Sequence, residues 1–427
     1  MDWLSEGSEE LTRRISQLYR LPPTTVRQSC LFRDLLDDAS LSKSVLLASI
    51  PVVGGQPYRP LHILYLIVTE VSGPWPPFAL FYHFLRLRRG LPETGHQDDA
   101  ALLVQSAEGV VKESYSSLAD FIAAADEAAL RTTTGDVFMT HRQLGRFVNG
   151  FALPPLAPRD ARMAVAILLP NGPLLAAVCI AVATYYVAVP LDVEEELDQL
   201  KADLERVRAC CVVTTPDWQR ERLARIQPWL ERRKMAVFLA EPERRGRGDI
   251  TVRDQNHRPL SAVVPGPPRR NGPGEAATLL FTKGVWGTRG LVSLTTHGLV
   301  REAIEAVEAW RLVSKDLCMG MAPVYDIGGL TRGVLAAIVS GGSIICCAGT
   351  GPRIFWDALP EFEPSWCLAS FTSLKLILAE VPFFPQTAQQ NSLRLVCRSD
   401  GFTPTDMATL IGDTFHCEIA SAELSQG

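Results

Sequence analysis

Two patterns of apolar and polar positions alternate along the middle of the chain. Apolar runs of strand length occur at Val165–Leu169, at Val187–Pro190 and at 209–215, and such short runs between turn residues are typical of buried strands. The first connection is apolar throughout. The second is apolar only at helical spacing, at Leu197, Leu200, Leu204 and Val207. The order strand–helix–strand–helix–strand predicts a parallel α/β sheet.

The same reasoning predicts further elements on both sides. Residues 114–130 have the pattern of a helix, and 135–151 have that of a strand leading into a helix. After 276 the α/β pattern resumes, with a helix at 297–312 and a closing strand–turn–helix–strand unit at 392–420. The predicted fold class is therefore α/β, with parallel sheets flanked by helices and preceded by an irregular N-terminal region.

Two stretches interrupt this pattern. Residues 1–115 have short apolar runs, Pro-rich punctuation and no stable period, whereas 241–275 are rich in Pro, Gly and Arg. The second stretch is typical of a solvated surface loop. We therefore predict an N-terminal region of unknown role at 1–115, a first α/β subdomain at 116–275 and a second at 276–427.

Composition limits the classes of protein that fit. The 427 residues are 47% hydrophobic and 21% charged, with a net charge of −5, which is ordinary for a globular protein and gives no case for a nucleic-acid partner. The ten cysteines show no C-x-x-C spacing, and the pairs Cys210–Cys211 and Cys346–Cys347 fall in apolar runs. These pairs are expected to be core residues of a cytoplasmic protein in a reducing compartment.

The longest apolar segment, 61–85, is a poor candidate for a membrane span. Glu70 and the sequence GPWPP at 73–77 interrupt it, and Pro and Gly at the centre of a segment break a single spanning helix. A soluble protein is predicted, and a membrane-associated protein that acts through 61–85 is the alternative.

A glycine-rich basic loop follows the apolar run Thr278–Phe281. Its sequence is TKGVWGTRG at 282–290, with two cations, Lys283 and Arg289, and three glycines. Glycines let backbone N–H groups approach a bound anion, and a hydroxyl and a cation can complete such a site. The loop is not a Walker A motif. From the residues alone, a phosphate site and a plain turn both fit.

Three other stretches occur with this loop in a recognisable order. The four are VAILLPNGPLLAAVCIAVATYYVAVPL, FTKGVWGTRGLVSLTTHGLV, APVYDIGGLTRGVLAAIVSGGSIIC and FWDALPEFEPSWCLASFTSL. Through them, residues 116–427 resemble the large N-terminal part of the adenylate-forming, or AMP-binding, superfamily. That group includes acyl-CoA synthetases and the adenylation domains of peptide synthetases, and the resemblance is closest to fungal synthetase-like members.

The resemblance implies a reaction in two steps. A carboxylate attacks the α-phosphate of ATP to give an acyl-adenylate and pyrophosphate. The thiol of coenzyme A or of a carrier protein then takes the acyl group. It implies that Lys283 and Arg289 are the catalytic cations and that ATP or AMP and Mg²⁺ are cofactors. The other implied site residues are the phosphate-binding Thr282, Gly284, Gly287 and Thr288, the acyl-pocket residues Tyr325, Asp326, Gly329, Trp366 and Ser370, and the magnesium ligand Glu423.

The chain departs from the family pattern at several of these positions. Lys283, Val285 and Trp286 stand where the family loop has hydroxyl side chains, so the loop either still binds a triphosphate or has Trp286 packed over the empty position. Asp326 stands where the family has a histidine. It either pairs with an amine on the substrate or faces solvent in a turn.

The C-terminal motif of the family allows two registers in this chain. In one, 419–423 takes its place and Glu423 keeps its role. In the other, 423–427 does, and no glutamate remains. The family's hinge and small lid domain would lie beyond Gly427, so the resemblance predicts that the lid domain is absent. The hypothesis is ATP-dependent acid activation in secondary metabolism, weakened or lost in this chain. The alternative is an inactive pseudoenzyme or an interaction module with the adenylation fold.

Overall fold

The computed structural model describes residues 115–156, 163–243, 249–260, 264, 266–283, 289–349, 351–400 and 405–420, with the backbone only at Lys283, Arg289 and Thr405. The chain divides into two units, Met1–Asp99 and Ala100–Gly427, and every described residue lies in the second. The segment 61–85 and all but the last residue of 1–115 lie outside the described residues. Within the described part, no helix is both long and apolar enough to cross a bilayer.

The strands of the described part are short. In chain order they are β1 (Ala128–Arg131), β2 (Val137–Thr140), β3 (Ala164–Leu168), β4 (Val187–Pro190), β5 (Cys211–Thr214), β6 (Ala236–Pro242), β7 (Ile250–Arg253), β8 (Ala276–Lys283), β9 (Arg289–Thr295), β10 (Leu317–Gly320), β11 (Ser343–Cys346), β12 (Trp366–Ala369), β13 (Leu395–Arg398) and β14 (Glu418–Ala420).

Helices connect most of these strands. Those within the described residues are α1 (His141–Gly150), α2 (Pro173–Tyr185), α3 (Leu197–Arg206), α4 (Pro216–Glu221), α5 (Gln227–Arg232), α6 (Thr296–Ala309), a π-helix (Gly329–Leu335), α7 (Ala336–Val339), α8 (Pro352–Phe362), α9 (Phe371–Glu380), α10 (Pro385–Gln389) and α11 (Thr405–Phe415), with short 3₁₀ helices at Leu118–Phe121, Leu223–Ile226 and Val381–Phe383.

The strands form two seven-stranded sheets within the described residues. Sheet A has the order β14-β13-β12-β10-β11-β1-β2, and sheet B has the order β7-β6-β5-β3-β4-β8-β9. The central strands pair in parallel, and the antiparallel pairs are β1–β2, β6–β7 and β8–β9. The predicted α/β class with parallel sheets is confirmed. Sheet B includes β8 and β9, which follow residue 275, and sheet A includes β1 and β2, which precede it. The predicted subdomain boundaries stay a prediction.

Helices α2 and α6 lie between the two sheets. One buried cluster combines their apolar side chains with the facing sides of both sheets, including Ile167 and Cys346. Because α2 is buried on nearly all sides, it is apolar all round. A second cluster covers the outer face of sheet B and includes the predicted face of α3, with Leu200 and Leu204. A third covers the outer face of sheet A and includes Cys347, so the neighbours Cys346 and Cys347 face opposite sides of sheet A.

Two predictions about local structure are wrong. Residues 114–130 do not form one helix, because only Leu118–Phe121 forms a 3₁₀ turn and Ala128–Arg131 is strand β1. Strand β1 pairs in parallel with β11, far away in the sequence, and this pairing overrides the helical preference of the alanines. Residues 241–275 are more than a surface loop. They contain strand β7, and the side chain of Asn271 is fully buried.

Candidate functional site

The carboxyl ends of strands from both sheets meet around one turn. Asn171 lies in the turn after β3 of sheet B, and its side chain contacts the segments that follow two strands of sheet A. Its Nδ2 donates to the carbonyl oxygen of Cys347 at 2.7 Å, and its Oδ1 accepts from the backbone N–H of Val324 at 2.9 Å. Ligand sites of parallel α/β sheets lie at the carboxyl ends of their strands. This edge is therefore the candidate site.

The glycine-rich loop starts from the same edge of sheet B. Strand β8 pairs in parallel with β4 through Ala188 and Thr278, so both strands end on the same side. The antiparallel register of β8 and β9 places Lys283 opposite Arg289. The two predicted cations are thus cross-strand neighbours in the backbone at the base of the loop. The loop residues Gly284, Gly287 and Thr288 lie outside the described residues, as do Val285 and Trp286.

Thr282 lies one step below this pair and faces Gly290 in the register. A Cβ added to Gly290 would come to 2.5 Å from the Thr282 Oγ1, which is closer than real Cβ contacts. Gly290 therefore leaves room for the Thr282 hydroxyl. From the sequence, the glycines of the loop were expected to leave space for a ligand. At Gly290 the missing side chain instead leaves space for the side chain of Thr282.

Tyr325 and Asp326 follow β10 of sheet A. Tyr325 is half-buried, and Asp326 is exposed. Burial raises the pKa of the Tyr325 hydroxyl, and the charge and hydrogen bond of Asp192 raise it further, with smaller effects from Asp326 and Glu195. Since Asp192 follows β4 of sheet B, this is a second contact between the sheets at the same edge. The local charge around Tyr325 is negative.

Gly329 is buried at the start of the π-helix. A Cβ there would collide with the carbonyl oxygen of Pro323, and a Cβ at Gly328 would collide with that of Ser399. The two glycines therefore let the π-helix pack directly against the segments that follow β10 and β13. This close packing is a sufficient reason for both glycines. The predicted role of Gly329 in an acyl pocket stays a prediction.

The other two predicted pocket residues have structural roles. Trp366 in β12 is 1% exposed, and its ring centroid lies 5.7 Å from that of Trp310 in the core. Ser370, which follows β12 at the candidate edge, caps α9 by accepting from the backbone N–H of Ser373 at 3.1 Å. The structure brings Tyr325, Asp326, Gly329 and Ser370 to strand ends of sheet A, whereas the Trp366 side chain lies within the core.

Sequence reasoning missed a charged group at the ends of β12 and β13. The Arg398 Nε donates to the Asp400 Oδ1 at 2.6 Å, and the same oxygen accepts from the backbone N–H of Phe371 at 3.0 Å. The Arg398 guanidinium lies 4.5 Å from the centroid of the Phe371 ring, which is a cation–π contact. The signal in the sequence was polar residues at or near the end of a predicted strand, as at Asn171 and Asp192.

The described part of the chain contains no cluster of metal-ligating side chains. No group of three or more His, Cys, Asp and Glu side chains there is placed to hold an ion. The predicted magnesium ligand Glu423 lies outside the described residues. An assignment of Mg²⁺ to this chain therefore stays a prediction from the resemblance.

Comparison with known proteins gives the fold and the family. The ATP-bound structure of MatB from Rhodopseudomonas palustris superposes with a TM-score of 0.54 at 17% identity, over 72% of this chain and 59% of that chain. A benzoate CoA ligase from Burkholderia xenovorans gives 0.55 at 16% identity, over 72% and 61%. At such low identity these matches show the shared fold alone.

Sequence comparison adds relatives and a family. A sulfoacetate–CoA ligase from Cupriavidus necator is 26% identical over 208 residues, which cover 47% of this chain and 38% of that ligase. An oxalate–CoA ligase from Saccharomyces cerevisiae is 24% identical over 113 residues, 26% of this chain and 21% of that ligase. The matches thus cover less than two thirds of either relative. The family described as AMP-binding enzyme matches residues 123–421, and the chain belongs to that family.

Proposed function

We propose that this chain takes part in the ATP-dependent activation of a carboxylic acid, by formation of an acyl-adenylate. The observation that carries the proposal is the β8–β9 register, which pairs Lys283 with Arg289 at the base of the glycine-rich loop. Two cations at that point suit a triphosphate, because charge-assisted contacts to phosphate oxygens are among the strongest hydrogen bonds in proteins. Membership of the AMP-binding family supports the same function.

In this proposal the chain's own residues bind and orient the reactants. Lys283 and Arg289 hold phosphate oxygens, and the loop backbone with Thr282 completes the phosphate site. The acid enters beside Tyr325 and Asp326, at the edge where Asn171 and Asp192 join the sheets. The carboxylate of the acid attacks the α-phosphate of ATP and displaces pyrophosphate, which leaves the acyl-adenylate. That step needs mainly positioning and charge stabilisation. Mg²⁺ bound through Glu423 belongs to the proposal as well.

The second step of the proposal transfers the acyl group from the adenylate to a thiol and releases AMP. The relatives are CoA ligases by name, which favours coenzyme A over a carrier-protein thiol. The proposal also includes that the chain is cytoplasmic and that the acid it activates belongs to secondary metabolism. The buried, unpaired cysteines of the described part are consistent with reducing conditions.

The second candidate is an adenylation fold whose activity is weakened or lost. Lys283, Val285 and Trp286 favour it, because by the family resemblance they stand where the loop has hydroxyl side chains. Each lost donor to a charged group is worth about 1.5–3 kcal/mol. Such a protein would bind nucleotide weakly or act as an interaction module.

Calorimetric titration with ATP, with and without Mg²⁺, separates these candidates when combined with pyrophosphate exchange over a panel of acids. We expect ATP binding that weakens by about tenfold or more in Lys283→Ala and in Arg289→Ala, given the strength of each charged contact. The matched control is Lys315→Ala, since Lys315 is exposed before β10 at the opposite edge. Binding without exchange would favour the inactive form, and a chain that neither binds ATP nor catalyses exchange would contradict the proposal.

A further inference from the structure

The Asn171 side chain bridges sheets A and B at the candidate site. It follows β3 of sheet B and contacts the segments after β10 and β11 of sheet A, with Nδ2 2.7 Å from the Cys347 oxygen and Oδ1 2.9 Å from the Val324 nitrogen. Both partners are backbone groups, so the bridge fixes the main chain of those two segments. The side chain is partly buried, where such bonds are not readily replaced by water.

The chemistry of the bridge requires a carboxamide of this length. Its two bonds use one donor and one acceptor on the same planar group, and Asn supplies both. An aspartate could accept from Val324 but would place a carboxylate oxygen against the Cys347 carbonyl. An alanine would leave a buried N–H and a buried C=O without partners. Gly172 next in the chain has a φ of 155°, and it lets the turn lead directly into α2.

The segment after β10, which Asn171 holds through Val324, carries two of the predicted acyl-pocket residues. Tyr325 and Asp326 come directly after Val324. Pro323, directly before it, has its carbonyl oxygen against Gly329 of the π-helix. The main chain from Pro323 to Asp326 is thus held from sheet B by Asn171 and from sheet A by the π-helix. The Tyr325 hydroxyl in turn contacts Asp192 after β4.

We infer that Asn171 is a positioning residue, which sets the place of the segment from Pro323 to Asp326 relative to sheet B. In the context of the proposed function, on which this part of the inference rests, Asn171 fixes the position of the acyl pocket relative to the glycine-rich loop. The loop starts from β8 of sheet B, whereas the pocket segment belongs to sheet A. Reacting groups carried by two different sheets need such a connection, because small errors in alignment lower the rate strongly.

The first test needs no enzymatic activity. In Asn171→Ala, the backbone amide of Val324 should exchange with deuterium about five- to tenfold faster, as expected from the loss of one hydrogen bond. The ¹⁹F resonance of fluorotyrosine at 325, assigned with Tyr325→Phe among the eight tyrosines, should shift. In Asn171→Asp, Val324 should stay protected because the acceptor remains.

The matched control is Asn391→Ala. Asn391 is partly buried and makes the same two kinds of bond, since Nδ2 donates to the Ala388 oxygen at 2.8 Å and Oδ1 accepts from the Leu393 nitrogen at 2.9 Å. Its Nδ2 also donates to the Phe415 oxygen at 3.2 Å. It lies before β13, at the opposite edge of sheet A. This variant should lose a similar amount of stability without a change at Val324 or Tyr325. If Asn171→Ala leaves both signals as in the wild type, or if Asn391→Ala moves them equally, the inference is wrong.

The second test uses activity. If the wild type catalyses pyrophosphate exchange, Asn171→Ala should raise the KM for the acid or lower kcat by about tenfold or more, with the KM for ATP within about twofold. If Asn171→Ala changes the KM for ATP as much as the KM for the acid, Asn171 does not act specifically on the acyl pocket. A wild type without exchange, in which the Val324 and Tyr325 signals still respond to Asn171, would count against the proposed function and leave the positioning role intact.

Discussion

Arg394 and Asp316 form a bidentate ion pair that joins the starts of two strands of sheet A. The Arg394 Nη2 lies 2.8 Å from Asp316 Oδ2, and its Nε lies 3.2 Å from Oδ1. Arg394 also donates to the carbonyl oxygens of Trp310 and Arg311 at the end of α6. Ser365, before β12, donates to Asp316 Oδ1 at 2.7 Å. One ion pair thus aligns β10, β12 and β13 with the helix between the sheets.

Asp316→Asn should therefore destabilise the protein. Asp316 is 4% exposed, and the change leaves Arg394 without its counter-charge, so we expect a loss of about 1.5–3 kcal/mol in the free energy of unfolding. Urea unfolding measures it. The matched control is Asp357→Asn, because the exposed Arg353–Asp357 pair should contribute less than about 0.5 kcal/mol. Equal losses in both variants would contradict the role of the Arg394 pair.

The same carboxylate gives a pH dependence with a definite sign. Burial alone would raise the pKa of Asp316, but hydrogen bonds from Arg394, Ser365 and the Val313 N–H lower it below its usual value. Its contribution to stability is thus present in full above the unfolded pKa of about 3.9, and it is lost as the pH falls through the lower folded pKa.

The difference in unfolding free energy between the wild type and Asp316→Asn should consequently narrow as the pH falls from about 5 to about 3. Taking the difference cancels the titration of groups that both proteins share. If the difference in unfolding free energy stays constant or increases over this pH range, the pKa of Asp316 is not lowered in the folded protein.

Asn271 should be required for the end of helix α2. Its side chain is fully buried, and its Nδ2 donates to the carbonyl oxygens of Ala183 and Tyr186 at 2.9 and 2.7 Å. Asn271→Ala leaves these oxygens unpaired, and we expect a loss of about 2–3 kcal/mol. Asn149→Ala is the control, since that side chain is exposed and accepts from Arg270 on the surface. A loss below about 1 kcal/mol at Asn271 would mean that water replaces its bonds.

Gly329→Ala tests the close packing at the start of the π-helix. The added Cβ would meet the Pro323 oxygen and lie 3.1 Å from that of Ala322, so the helix must shift, at about 1–3 kcal/mol as in other overpacked sites. Gly150→Ala is the control, because a Cβ there meets nothing within 4 Å. Thermal unfolding of both variants measures the contrast. If Gly329→Ala is as stable as Gly150→Ala, the main chain around Pro323 moves away from the added Cβ at little cost.

The sequence predicts most of the fold where the signal is local. The strand at Val187–Pro190 and the helical face of α3 appear where apolar periodicity places them. Strand β1 is missed because its identity depends on pairing with β11, which no local pattern shows. The sequence also gives no sign that Asn271, in a Pro- and Arg-rich stretch, would be fully buried.

The candidate site is predicted less completely for the same reason. The glycine-rich loop can be recognised because its residues are consecutive. Asn171 and Asp192 cannot, because each acts through a partner on the other sheet, and a polar residue after a strand is most often an ordinary turn residue. Trp366 shows the opposite case, since its family position predicts a pocket while its side chain is buried in the core.

The tyrosine at the candidate pocket should titrate late. Burial, and then Asp192, raise the pKa of Tyr325 above its usual value, so its neutral form stabilises the fold below about pH 10 and this contribution is lost as the pH rises through the folded pKa. The ultraviolet difference between the wild type and Tyr325→Phe isolates its ionisation while circular dichroism reports that the protein is folded. We expect a midpoint above 10 that falls in Asp192→Asn because one negative neighbour is gone. Asp357→Asn, distant and exposed, should leave the midpoint unchanged. A titration midpoint at or below pH 10, or one that does not change in Asp192→Asn, would show that Tyr325 and Asp192 are not in contact in the folded protein.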